Sequence, residues 1–180
     1  MKILAFAGSN STTSINKELL NYATAQLASH DINVVDLNDY EMPIYSIERQ
    51  ASGFPQQAID FHKEIKDADG LIISLAEHNG NFSVALKNIL DWVSRIEMPY
   101  LKDKKILLLA TSPGGYGGGN VLEVGLKTFV HFASGEVVAS STFPSFYDNF
   151  KEGNIVNEDL KVSIDEKIKT FENSLVAVEA

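Results

Sequence analysis

Strand-like and helix-like segments alternate along the whole chain, and this alternation limits the fold more tightly than any other feature of the sequence. Short apolar runs at residues 2–7, 32–37, 70–76, 105–111 and 137–143 have the length and composition of β-strands. Between them, apolar residues recur at helical spacing. They fall at Ile15, Leu19, Ala23 and Leu27, at Ala58, Phe61 and Ile65, and at Leu86, Ile89, Leu90 and Val93. Two more stripes follow, Leu122, Leu126, Phe129 and Ala133, then Ile164, Ile168, Phe171, Leu175 and Val178. Strands joined through helices run parallel, and an almost wholly apolar run such as Ile106 to Ala110 needs cover on both faces. The expectation is one doubly wound α/β domain over residues 1–180, large enough to bury a core without disulfides or a structural metal.

Composition narrows the chemistry. The chain has no cysteine, which excludes thiolate nucleophiles, iron–sulfur clusters and disulfide relays, so redox work requires a bound cofactor. A net charge of −9 argues against sequence-independent nucleic-acid binding. The charge is uneven. Residues 31–79 carry ten acids against three bases, whereas residues 1–30 hold Lys2 and Lys17 against Glu18. No apolar run approaches the roughly 20 residues of a membrane span, and the run from Ile3 to Ala7 is too short for a signal peptide. A soluble, cytoplasmic protein is expected, with neither membrane nor nucleic acid as partner.

In a doubly wound sheet, ligands bind beyond the carboxyl ends of the strands, where three loops of unusual composition should meet. The first, Gly8 to Ser14, holds five hydroxyls directly before a helix. A helix amino end presents unpaired N–H groups and partial positive charge, a setting for phosphate, although Ser14 also suits plain helix capping. Lys17, rather than an acid, is read into the first turn. The second loop, Glu77 to Ser83, is rich in amides. Its Gly80 permits close backbone approach to a flat ligand, and Ser83 is placed to cap the next helix. The third, Ser112 to Asn120, contains five of the twelve glycines with Tyr116 among them. Neither GxGxxG nor GxxxxGK[ST] is present. Among the histidines only His78 falls in these loops, and His30, His62 and His131 are read as packing or surface residues of helices.

These loops together resemble the NAD(P)H-dependent FMN reductase family. Gly8, Ser9, Ser14 and Asn16 match its first-loop motif, GS-x-R-x-x-S-x-N. Glu77, Asn79, Leu86, Lys87, Asn88, Asp91 and Trp92 match its second segment, and Ser112, Gly115, Gly118 and Gly119 echo its third loop. The chain departs from the family at Ser11, where the motif has arginine, and at Ala76, His78, Asn81 and Ser83. Losing the arginine removes a charge-assisted hydrogen bond typically worth about 1.5–3 kcal/mol.

The resemblance implies a flavodoxin-like three-layer sandwich, with a five-stranded parallel sheet in the order 2-1-3-4-5 and helices on both faces. It implies FMN as cofactor, with the phosphate held by Ser9, Ser11, Ser14, Ile15 and Asn16. The isoalloxazine ring would meet Glu77, His78, Asn79, Gly80, Asn81 and Phe82 on one side. Ser112, Pro113, Gly114, Gly115 and Tyr116 would meet its other edge, and Tyr45 is placed to wall the site. NADPH or NADH would supply hydride, and a quinone, free flavin, azo dye or metal oxyanion would accept the electrons. No side chain is required as a covalent catalyst. A homodimer or homotetramer is implied, with the helix starting near residue 84 at or beside the interface. A flavodoxin-type electron carrier and a degenerate binding module share these features and stay open at this stage.

Overall fold

The computed structural model describes residues 1–176. Its elements are β1 (Lys2–Ala7), α1 (Ile15–Ala25), β2 (Asp31–Val35), α2 (Ile47–Ala51), α3 (Gln56–Asp67), β3 (Gly70–His78), β4 (Asn81–Phe82) and α4 (Val84–Ile96). There follow β5 (Lys105–Thr111), α5 (Gly119–Leu126), β6 (Glu136–Phe143), α6 (Phe146–Asn149), β7 (Phe150–Lys151), β8 (Asn154–Ile155) and α7 (Glu158–Val176). The main strands pair in parallel in the order β2-β1-β3-β5-β6. This is the expected arrangement of five strands, plus a short strand: β4 folds back antiparallel on the end of β3. Val178, expected on the last helical stripe, lies outside the described residues.

Period-two alternation divides the buried residues between two cores. Leu4 and Phe6 of β1, Leu71, Ile73 and Leu75 of β3, and Ile106, Leu108 and Ala110 of β5 face α3, α4 and the segment after α5. Their neighbours Ile3, Ala5, Ile72, Leu107 and Leu109 face α1 and α7. Both faces of the central strands are therefore apolar, as parallel strands under crossover helices require. The edge strand β2 is mostly exposed, and it stops at Val35 rather than Leu37. The Asp36 carboxylate accepts the Asn38 amide at 3.0 Å and starts a 3-10 turn over Leu37–Tyr40 instead.

Two local departures have plain causes. The expected stripe through Leu122 and Leu126 is rotated, because Val121, Gly125, Phe129 and Ala133 are the buried set. A Cβ on Gly125 would stand 2.6 Å from Leu75, so only glycine lets this helix approach the sheet. The helix then widens into π turns over Lys127–Phe132. His30 sits not on a helix but in the turn before β2, 3.3 Å from Glu172. Among the described residues no helix is long and apolar enough to cross a membrane. Leu108, fully buried on a central strand, gives a direct check on the first core. Leu108→Ala should lower the unfolding free energy by about 2–5 kcal/mol in urea denaturation, the cost of a core cavity.

Candidate functional site

The three loops do converge at the carboxyl edge of the sheet, and a buried carboxamide holds them in place. Asn16 Oδ1 accepts from the Ser74 hydroxyl at 2.8 Å and from the Thr111 amide at 3.2 Å, while its Nδ2 donates to the Thr111 carbonyl at 3.3 Å. The start of α1 is thus tied to the ends of β3 and β5. Of the residues that the resemblance puts at the phosphate, Asn16 is thus left with its backbone N–H. Its side chain is committed to the protein, and only its backbone N–H faces outward from the helix end.

The rest of the first loop organises itself. Ser9 is buried, and its Oγ accepts the Ser11 amide at 3.1 Å; Ser11 Oγ in turn accepts the Thr13 amide at 3.3 Å. Ser14 occupies the N-cap position, yet its side chain makes no capping hydrogen bond. Its carbonyl serves the helix instead, accepting the Lys17 and Glu18 amides. The earliest amides of a helix have no intrahelical acceptor, so those of Ile15 and Asn16 stay available beside the Ser14 hydroxyl. Ile15 contributes only this backbone group, because its side chain packs on the second core. The first turn does contain an acid, Glu18, which is exposed, and Lys17 forms an ion pair with Asp36. Burial alone raises the Asp36 carboxyl, but the Lys17 and Asn38 hydrogen bonds outweigh it and hold it below its usual value.

The second loop is a tight β-hairpin. Asn79 (φ 52°) and Gly80 (φ 73°) both adopt the left-handed conformation that a two-residue hairpin turn requires. His78 pairs with Asn81, and Glu77 with Phe82. Two expected ring contacts have other commitments here. Phe82 is buried and stacks on Phe129 with centroids 5.8 Å apart. Glu77 accepts the Val121 amide at 3.1 Å and the Asn120 side chain at 3.0 Å. It thereby caps α5, whose own N-cap residue, Gly118, has no side chain to do so. Ser83 caps α4 by accepting the Leu86 amide at 3.2 Å. His78, Asn79 and Asn81 remain exposed at the rim.

The glycines of the third loop divide by role. A Cβ on Gly117 would come within 2.9 Å of the Phe143 backbone, and one on Gly119 within 2.5 Å of the Tyr116 ring. Those positions are glycine because the loop packs tightly. By contrast a Cβ on Gly115 meets nothing within 4 Å, and one on Gly114 meets only Ser112 Oγ at 4.0 Å. Their bare backbone borders open space. The loop is anchored where Gly114 and Ser112 carbonyls accept the Ser145 and Phe146 amides. Pro113 and Tyr116 are exposed, the Tyr116 ring lying against Gly119.

A cleft of about 270 Å³ adjoins the first loop and the hairpin. Asn10, Asn38, Glu41, Ile44, His78 and Asn88 are among its lining residues. Of these, only His78 stood among the candidate ligands read from sequence. Asn88 and Trp92 shape the cleft's outer wall by clamping the loop after β2. Asn88 Nδ2 donates to the Met42 and Pro43 carbonyls at 3.1 and 3.2 Å, its Oδ1 accepts the Tyr45 amide at 2.8 Å, and Trp92 Nε1 donates to Pro43 at 2.8 Å. Tyr45 itself packs edge-on against Trp92 at 5.2 Å and donates its hydroxyl to Gln50, so its neighbour Ile44 lines the cleft instead. The signal available in the sequence was positional: this polar loop also follows a strand at the carboxyl edge.

Known proteins resemble this chain. A family model described as NADPH-dependent FMN reductase matches residues 1–148. A 2-hydroxy-1,4-benzoquinone reductase from Burkholderia sp is 40% identical over 95 residues, covering 53% of this chain and 51% of that protein. The match thus spans about half the length of that relative. An NADPH:quinone oxidoreductase from Arabidopsis thaliana is 28% identical over 169 residues, covering 88% of this chain and 83% of the relative. A solved flavoenzyme, the NAD(P)H:(acceptor) oxidoreductase of Paracoccus denitrificans, superposes with a TM-score of 0.76 at 19% identity, covering 98% of this chain and 97% of that one. The last comparison bears on the fold alone.

The buried Asn16 staple can be tested without any ligand. Asn16→Ala leaves the Ser74 hydroxyl and the Thr111 amide without their partner, each costing about 1–3 kcal/mol. The variant should lose about 2–6 kcal/mol in urea denaturation of the protein.

Proposed function

Because the chain belongs to the NADPH-dependent FMN reductase family, we propose that its single flavodoxin-like domain binds FMN and works as an NAD(P)H-dependent oxidoreductase on small-molecule acceptors. The observation that carries the site assignment is Ser14, an N-cap residue whose hydroxyl caps nothing. With the Ile15 and Asn16 amides it forms a neutral, donor-rich end to α1, suited to a phosphate monoester. Ser9 and Ser11 fix the shape of the loop around it.

The exposed backbone at Gly114 and Gly115 and the polar hairpin rim at His78 to Asn81 are the surfaces suited to a flat heteroaromatic ring. Backbone and amide N–H groups there act as fixed donors toward negative charge on the ring, and being held by hairpin and anchor they need no rearrangement. When bound, FMN supplies the two-electron chemistry between NADPH or NADH and a quinone, free flavin, azo dye or metal oxyanion. The protein's task is to bind, orient and donate hydrogen bonds; no side chain acts as nucleophile. Tyr116, exposed beside the two glycines, flanks the same space.

Oligomerisation to a homodimer or homotetramer is supported by apolar side chains left exposed around the cleft. Ile44, Ile47 and Val84 are 66%, 71% and 69% exposed. A cytoplasmic location accords with the absence of cysteine and with a cofactor-based redox role.

The purified protein should be yellow, or take up FMN absorbance on soaking, and should bleach anaerobically with NADPH or NADH. Tight flavin binding without bleaching would identify an electron carrier, and failure to bind flavin a degenerate module. Ser14→Glu places a carboxylate at the phosphate position and should abolish flavin retention. Unchanged flavin content in a folded Ser14→Glu protein would overturn the phosphate assignment.

A further inference from the structure

We propose that Tyr116, its ring seated on the backbone of Gly119, is the stacking surface for a planar aromatic electron acceptor, and so sets a preference for flat rings over compact anions. The inference rests on the oxidoreductase reading above and adds to it a specificity-determining residue and a substrate class.

Tyr116 stands at the apex of two consecutive turns. Gly117 donates to the Gly114 carbonyl at 3.2 Å, and Gly119 donates to that of Tyr116 at 3.1 Å. Gly117 (φ 61°) and Gly118 (φ 80°) take left-handed conformations between them. The Phe143 and Pro144 backbone closes in on the same stretch, 2.9 Å from where a Cβ on Gly117 would be. The backbone on either side of Tyr116 is thus fixed, and the position of its ring follows. That ring fills the space a side chain at position 119 would take. A Cβ there would stand 2.5 Å from both Cε1 and Cζ of Tyr116.

This seat weakens the helix that provides it. Gly119 is the first residue of α5, and Gly118 before it has no side chain to cap the helix. Glycine in a helix costs about 0.5–1 kcal/mol relative to alanine. Core packing does not explain the arrangement, since Tyr116 remains 61% exposed. An aromatic ring held in place with most of its surface in water is prepared for another ring. Such pairs meet offset or edge-on with centroids about 4.5–7 Å apart, and contribute about 0.5–1.5 kcal/mol beyond their burial.

The surroundings indicate the ligand. Asn120 donates to Glu77 at 3.0 Å, and its Cβ lies 3.9 Å from where a Cβ on Gly80 would be. The helix start that carries the Tyr116 ring therefore abuts the hairpin tip. The ring stands where the third loop meets the hairpin, the two surfaces assigned above to a flat heteroaromatic ring. Gly114 and Gly115 leave open space on the same loop. Residues 8–14, 77–83 and 112–118 include no lysine or arginine to attract a compact multivalent anion. The exchange moves a hydride from the nicotinamide and a proton from solvent to a quinone, giving the hydroquinone. Tyr116 takes part in neither transfer and acts by where it holds the ring.

The test compares 2-methyl-1,4-naphthoquinone, a flat acceptor, with ferricyanide, a compact anionic one, on FMN-loaded samples matched in flavin content. Tyr116→Ala should lower the ratio of kcat/KM for the quinone to that for ferricyanide by about three- to tenfold, through the KM for the quinone. Tyr116→Phe should keep the ratio within about twofold. Gly119→Ala should match Tyr116→Ala, because its Cβ displaces the ring, and combining the two should add nothing further. In parallel, flavin absorbance follows the binding of 2-naphthol and of its saturated counterpart, decahydro-2-naphthol. Naphthol should bind more tightly to the native chain, by a margin that shrinks in Tyr116→Ala and in Gly119→Ala. An unchanged acceptor ratio, or a naphthol margin indifferent to Tyr116→Ala, would overturn the proposal. So would Tyr116→Phe behaving like Tyr116→Ala, or an FMN affinity lowered more than about tenfold in Tyr116→Ala, which would make the ring a flavin contact. None of these results touches the oxidoreductase reading. If the flavin-loaded protein oxidises neither NADH nor NADPH, that reading falls. The naphthol margin in Tyr116→Ala then supports the stacking role by shrinking and overturns it by staying the same. A chain that binds no flavin overturns both.

Discussion

A single buried carboxamide, that of Asn16, ties the start of α1 to the ends of two strands distant in sequence, β3 and β5, and the geometry of the candidate site follows from it. Hydrogen bonds run across the carboxyl edge of the sheet in series. Gly8 donates to the Ser74 carbonyl at 2.8 Å, Ser74 and Thr111 meet on Asn16, and the Thr111 hydroxyl donates to the Phe143 carbonyl at 2.7 Å. Each of these polar groups sits in a water-poor setting, where a missing partner is costly. The loops that leave β1, β3, β5 and β6 are therefore launched in fixed relation to one another. A ligand that touches several of them meets a prearranged surface, which reduces the ordering that binding would otherwise require.

The same economy shows in how the chain uses its charges. A phosphate-binding loop without arginine relies on helix amides and hydroxyls, which add no net charge to the edge. Glu77, placed by the hairpin beneath α5, spends its carboxylate on a helix start that begins with glycine. Lys17 is neutralised by Asp36. What remains on the surface is a set of carboxylates around a donor-rich floor.

Much of this was legible in the sequence, because the signals are local. The continuous apolar runs of β1, β3 and β5 and the four-residue spacing in α1 are set by strand and helix geometry, so the layers could be read from them, while the strand order followed from the family resemblance. Loop convergence follows from parallel topology. Less legible were roles decided by partners far along the chain. Asn16 and Thr111 are 95 residues apart, and nothing near Asn16 shows that its side chain turns inward. Glu77 serves Val121 across 44 residues, and Phe82 finds Phe129. The cleft was missed for a related reason: its wall is the 3-10 turn Leu37–Tyr40 and the loop after it, held by Asn88 and Trp92 of another element. The Asn79-Gly80 pair did carry a local hairpin signal, and β4 was foreseeable from it.

The central claim is that the amino end of α1 and its hydroxyl loop hold a phosphate, so that the flavin is retained by this group as well as by its ring. Comparing the affinities of FMN and riboflavin by fluorescence quenching tests this directly, since the two ligands differ only in the phosphate. The account predicts FMN binding tighter by about a hundredfold or more, equivalent to about 2.7 kcal/mol. Equal affinity for the two ligands would contradict it.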